Sequence, residues 1–123
     1  METVETDDAP LAVGAYSQGT ATDDLVFTAG QIPLTPEGEM IEGGVAEQTE
    51  QALQNVAAVL EAGGSSLEDA VKVTVFLDEI EEFDEMNTVY EAFFDDQPPA
   101  RSAVEVGEVP KGAAVEIEAV GER

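Results

Sequence analysis

Val71-Lys72-Val73-Thr74-Val75-Phe76-Leu77 alternates with the period of two that a half-buried β-strand requires. Val71, Val73, Val75 and Leu77 share one face, and Lys72, Thr74 and Phe76 share the other. Upstream the period changes. In Val45 to Ala62, the residues Val45, Ala52, Leu53, Val56, Val59 and Leu60 recur at helical spacings and predict a helix with one apolar stripe. Gly63-Gly64 ends it as an αL-type cap requires, and Ser65-Ser66-Leu67-Glu68 has capping-box spacing for one short turn. An amphipathic helix followed by a one-faced strand decides the fold class, because stripe and face must cover each other.

Outward from this unit, Tyr16 to Ala21 and Leu25 to Ala29 read as two short strands joined by a tight turn at Thr22-Asp23-Asp24. A further short strand is expected near Met40 and Ile41. Phe83 to Phe94 predicts a second helix with Phe83, Met86, Tyr90 and Phe93 on one stripe, and Pro98-Pro99 blocks its continuation. Strands over Arg101 to Val106 and Ala114 to Val120 close the chain, joined through Pro110-Lys111-Gly112. The expected fold is α+β, a single domain in which two helices cover one face of a mixed β-sheet. Residues 1–9, polar and acidic, are expected to form a flexible N-terminus ahead of a domain spanning residues 10–123. The uncovered face is expected to carry Lys72, Thr74, Phe76, Arg101, Ala103, Glu105, Glu116 and Glu118. That mixture is too apolar for plain solvent and too charged for a core, which implies an oligomer.

Composition narrows the chemistry. The 123 residues include 28 Asp plus Glu and 4 Lys plus Arg, a formal charge of -24, with no His, Cys or Trp. Disulfides, thiolate nucleophiles, imidazole ligands and a Ser-His-Asp triad are therefore excluded. Hydrophobic residues at 43% supply enough apolar material for one core. So negative a surface repels phosphate backbones and anionic lipid, so neither nucleic acid nor membrane is an expected partner. The densest acidic run, Asp78 to Glu85, lacks calcium-loop spacing and reads as the solvated start of a helix. High acid with scarce Lys resembles proteins of salt-in halophiles and points to a halophilic archaeon; docking on a basic partner is the alternative. No signal peptide or membrane span is evident, and the cytoplasm is the expected location.

Among the four bases, Arg101 lies in an apolar context, Pro98-Pro99-Ala100-Arg101-Ser102-Ala103-Val104. It can bind a ligand carboxylate through two parallel hydrogen bonds, or pair with Glu116 or Glu118 on a neighbouring strand or subunit; the residues alone favour the pair. Glu116 can serve as a general base on the same face as Arg101, or as an ordinary polar strand residue. Tyr16 is a hydrogen-bonding lid or a strand aromatic. Lys72 reads as structural, since nothing near it argues for an amine nucleophile. Lys111 and Arg123 read as solvated. Gly43-Gly44 lacks the pattern of a phosphate loop.

Six ordered segments together resemble the RidA (YjgF) family of reactive-intermediate imine/enamine deaminases. They are Gly14 to Gln18, Phe27 to Pro33, Gln48 to Asn55, Val71 to Leu77, Met86 to Phe94 and Pro98 to Val106, followed by Val109-Pro110-Lys111-Gly112 and Val115 to Ala119. The resemblance implies a chorismate-mutase-like fold and a homotrimer with clefts between subunits. It implies that Arg101 holds the carboxylate of a 2-imino acid and that Glu116 activates water. Tyr16 closes the cleft from a neighbouring subunit, and Asn87, Gly30 and Ala103 shape it. The implied reaction is hydrolysis of 2-iminopropanoate or 2-iminobutanoate to the 2-oxo acid and ammonia, with no cofactor and no metal. Ala29 stands where relatives often carry Ser, and Ala103 where they often carry Cys, which bears on substrate range. The alternatives are a non-catalytic trimer that senses 2-oxo acids, and the RNA cleavage or translation inhibition sometimes attached to the family, which the charge disfavours.

Overall fold

Helix α1 forms over Val45–Ala62, and the whole predicted stripe is buried. At its N-terminus the Gly44 N–H donates to Glu47 Oε1 at 2.8 Å, satisfying one of the donors a helix start leaves free. At its C-terminus Ser65 N donates to Leu60 O, and Gly64 N to Glu61 O, with Gly64 at φ +91°. This is a Schellman ending, with the left-handed residue at the second glycine of the pair.

The computed structural model describes residues 1–123. Six strands form one mixed sheet: β1 (Glu2–Val4), β2 (Gly19–Ala21), β3 (Leu25–Thr28), β4 (Ala70–Leu77), β5 (Ala100–Glu105) and β6 (Val115–Glu122), in the spatial order β1-β2-β3-β6-β4-β5. All neighbours are antiparallel except β4 and β5, whose parallel pairing needs the crossover that helix α2 (Phe83–Glu91) provides. Both helices cover the same face. Val73, Val75 and Leu77 of β4 and Val115, Ile117 and Ala119 of β6 meet Leu53, Val56, Val59 and Leu60 of α1 in one buried cluster. Each large side chain fully buried there contributes about 1.5–3 kcal/mol. No helix is long and apolar enough to cross a membrane.

Several expectations shift. Within residues 1–9, expected to form a flexible N-terminus, a short strand joins the sheet. Glu2, Thr3 and Val4 pair with Ala21, Thr20 and Gly19, and Val4 and Ala9 are buried. Two apolar side chains inside an acidic stretch dock it together with the Gln18 amide, which bonds Thr6 and Ala9. The strand expected from Tyr16 starts only at Gly19, and the one near Met40 is a single bridge between Leu34 and Met40. The second helix ends at Glu91 and is preceded by a 3₁₀ turn over Ile80–Glu82. Val71 leaves the face of Val73 because a bulge between Ala70 and Lys72 interrupts the pairing with β6.

The largest correction concerns β5. Arg101 is registered with Val73, Ala103 with Val75 and Glu105 with Leu77. Paired residues share a face, so these three lie on the helix-covered side and not on the open one. The open face carries Lys72, Thr74, Phe76, Ser102, Val104, Glu116, Glu118 and Val120, with Phe27 beside Val120. Phe27 and Val104 are exposed there. Unpartnered apolar area remains on that face even without the misplaced residues.

Candidate functional site

The expected site residues fall into two groups. Tyr16, Gly30 and Glu116 line one cleft of about 580 Å³, together with Ile32, Leu34 and Lys111. Asn87 and Arg101 border a smaller hollow of about 350 Å³ with Tyr90 and Pro99. Glu116 is registered with Phe76 on the open face, while Arg101 lies with Val73 on the covered face. The sequence-based expectation that they share a face is therefore overturned within one chain. Ala103, two residues beyond Arg101, packs against the core and lines neither space.

Arg101 is held by three side chains of α2. Its Nη1 donates to Asn87 Oδ1 at 2.6 Å. Its guanidinium carbon sits 4.6 Å from the centre of the Tyr90 ring and 5.3 Å from that of Phe83. Spacings of four and three residues bring Phe83, Asn87 and Tyr90 to one side of the helix. Cation–π contact and one amide hydrogen bond fix the planar group while leaving most of its donors free. Burial pushes the Tyr90 hydroxyl toward its neutral form, with the Arg101 charge pulling the other way. The only ion pair in the chain joins Arg123 Nη1 to Glu2 Oε2 at 2.9 Å. The expected pairing of Arg101 with Glu116 or Glu118 does not form within the chain, and Arg123, read as solvated, is the base that finds an acid.

Glu116 has the complementary deficit. Its carboxyl is pushed above the usual range by burial, and further by the charge of Glu118 on the same strand face. No cation lies within ion-pair distance of it. Gly30 allows it this position, since a Cβ at residue 30 would come within 2.5 Å of Glu116 Oε2. The Gly30 turn is pinned on both sides. Gln31 exchanges main-chain hydrogen bonds with Ile117 at 2.8 and 3.0 Å, and Asn55 Nδ2 donates to Ile32 O and Leu34 O at 3.2 and 2.9 Å.

Lys72 Nζ donates to Ser102 Oγ at 3.0 Å, in keeping with a structural part. Lys111, read from the sequence as solvated, is exposed but also lines the Glu116 cleft, and it is the one non-glycine residue with positive φ (59°). Its signal was the Pro-Lys-Gly turn directly ahead of the Glu116 strand. Gln18 and Gln31, buried and polar in the same cleft, are residues the sequence reading misses, since neither carries a signal beyond its place in a family-like segment. No three acidic side chains are disposed to hold a metal ion. The arrangement thus offers a rigid anion clamp on one face and a base of raised proton affinity on the other.

This fold, two helices on one face of a mixed six-stranded sheet, defines a class seen elsewhere. The family model described as Endoribonuclease L-PSP matches residues 6–122, and the chain belongs to that family, known also as RidA or YjgF. The 2-iminobutanoate/2-iminopropanoate deaminase of Escherichia coli (strain K12) is 42% identical over 125 residues, covering 99% of this chain and 98% of that one. The structure of the E. coli YjgF gene product superposes with a TM-score of 0.94 at 42% identity, covering 100% of this chain and 99% of the other. E. coli TdcF with bound serine does so with a TM-score of 0.94 at 41% identity and the same coverage. The expected family and fold class hold, and imine deamination is an activity named among the chain's relatives.

Proposed function

We propose that this chain is a cofactor-independent deaminase of 2-imino acids, including 2-iminopropanoate and 2-iminobutanoate, acting as a homotrimer with each active cleft shared between two subunits. The observation that carries this reading is the separation of Arg101 from Glu116. In a chain with 28 acids, the Arg101 guanidinium is pre-ordered yet has no carboxylate partner, and the candidate base has no cation. Each half is chemically incomplete, and a neighbouring copy supplies the other half. The exposed Phe27 and Val104 on the open face supply apolar area for the contact. Asn87 and Arg101 come from one copy, and Tyr16, Gly30 and Glu116 from the next. The serine in the TdcF relative fits a cleft that takes amino-acid-like ligands.

In this reading Arg101 takes the substrate carboxylate through two N–H donors, and Asn87 keeps the fork in plane. A protonated imine carbon is already electrophilic, so the protein need only place water and remove its proton. Glu116, ionised, accepts that proton as the water oxygen bonds to the imine carbon, giving a carbinolamine. The same carboxyl then returns the proton to the nitrogen. The C–N bond breaks as the carbinolamine hydroxyl gives its proton to the Glu116 carboxylate and its oxygen forms the carbonyl; the departing ammonia takes that proton and leaves as ammonium, and the 2-oxo acid remains. General-base help of this kind contributes about 10²–10⁴-fold. Ala29 leaves the cleft without the hydroxyl that relatives often carry, which favours substrates with apolar side chains.

Subunit mixing tests the proposal. Arg101→Ala and Glu116→Gln trimers should each be inactive on imines generated by an amino-acid oxidase. After exchange of subunits, every mixed trimer holds one intact cleft in three, so activity returns to about one quarter of wild type. A mixture that stays inactive despite confirmed exchange overturns the shared cleft. Wild-type protein that leaves imine hydrolysis at background overturns the deaminase; saturable 2-oxo-acid binding without turnover then favours the sensing trimer.

A further inference from the structure

From Glu5 to Ser17 the main chain makes no hydrogen bond to any other main-chain group. Two side-chain bonds lie inside this segment: Asp8 N to Thr6 Oγ1 at 3.1 Å, and Val13 N to Tyr16 Oη at 3.4 Å. Every hydrogen bond from the segment to the rest of the molecule goes to one side chain, that of Gln18. Thr6 N donates to Gln18 Oε1 at 2.8 Å, and Gln18 Nε2 donates to Thr6 O at 3.0 Å, Ala9 O at 3.3 Å and Pro10 O at 2.8 Å. Gln18 is 3% exposed, and Ala9 is the only fully buried residue of the strap. The Gln18 main chain is itself anchored, since its carbonyl accepts from Ala29 N at 2.8 Å, one residue before Gly30.

We infer that Gln18 is a positioning residue: its buried amide holds the 5–17 strap so that Tyr16 stands over the Glu116 cleft. This rests on the reading of that cleft as the 2-imino-acid site. Tyr16, Leu11 and Val13 line the cleft while remaining 55%, 69% and 84% exposed, so their own packing does not hold them there. A carboxamide suits the task because one group must accept from an N–H and donate to several carbonyls at once, and neither Glu nor Met can do both. Burial keeps water from competing for those bonds.

The test is a double-mutant cycle on affinity for 2-oxobutanoate, measured by calorimetry on wild-type, Gln18→Met, Tyr16→Ala and the double variant. Each single change is expected to weaken binding about tenfold, a loss of one hydrogen bond's worth. The double variant should bind no more weakly than Tyr16→Ala alone, because Gln18 acts through Tyr16. Losses that multiply, or Gln18→Met binding as wild type, overturn the inference. Hydrogen exchange checks the fold: the Thr6 amide should lose protection while the amides of α1 and β4 keep theirs. If Gln18→Met does not fold, Gln18→Glu serves in the same cycle, since it keeps the acceptor for Thr6 but has no donor for the three carbonyls. Wild-type protein that binds 2-oxobutanoate without hydrolysing imines removes the catalytic reading and leaves the cycle to decide the clamp. Wild-type protein that binds none overturns both.

Discussion

At the scale of the residue, Glu116 shows how a single side chain acquires a chemical role from what surrounds it. Two effects, burial first and the Glu118 charge second, raise its proton affinity. As the proposed base it must be ionised, so the rate should climb with pH through a midpoint above that of an ordinary carboxylate. Glu118→Gln removes the like charge and makes ionisation easier. The acidic limb of the kcat/KM profile should then move to lower pH, as measured on imines from an oxidase at fixed salt; an unmoved limb would detach Glu116 from the titration. Arg101 shows the reverse case, a charge that is useful because its plane is fixed. Its singularity was legible in the sequence from the count of bases alone, whereas its facing was not. In β5 the residues Arg101, Ala103 and Glu105 read as part of the uncovered, subunit-facing side, and only their register with Val73, Val75 and Leu77 shows that they turn toward the helices. Nothing local encodes that register, because it is set by how the β4–α2–β5 crossover closes.

At the scale of the element, α1 does more than cover the sheet. Asn55, 1% exposed in its middle, donates to the Ile32 and Leu34 carbonyls and accepts from Gln51 Nε2 at 3.0 Å. The helix thereby fixes the turn that carries Gly30, and through it the room available to Glu116. Asn55→Ala should lower the unfolding free energy by about 1–3 kcal/mol in urea titrations, since two half-buried carbonyls lose their donor. A smaller change would mean that water replaces the amide. The helices and the β4 and β6 strands were legible because their periodicity is unbroken over many residues. Short pieces were not. The N-terminal strand has three residues, and its docking depends on Val4 together with a side chain at Gln18, neither of which forms a pattern. The end of α2 at Glu91 also goes against its stripe, as Phe93 and Phe94 continue the apolar spacing past the last helical turn.

At the scale of the molecule, 28 acids against 4 bases and a single ion pair leave the surface with strong self-repulsion and almost no internal relief. About 1 M salt shortens the screening length to roughly 3 Å. The urea midpoint and the fraction assembled, followed by circular dichroism and sedimentation, should therefore both rise with KCl up to molar concentrations. A midpoint that is flat or falling with salt would favour a basic partner as the reason for the acidity. A rise in both would assign the acids to the medium and leave the proposed chemistry to the few groups they do not neutralise. The opposed facings of Arg101 and Glu116 have one more consequence. In the proposed shared-cleft trimer a lone folded copy would be catalytically mute, and specific activity would become a function of how much protein is present. Diluted below the dissociation constant of its own assembly, the enzyme should switch off by mass action with every subunit still folded. Turnover per chain would then report the protein's own abundance.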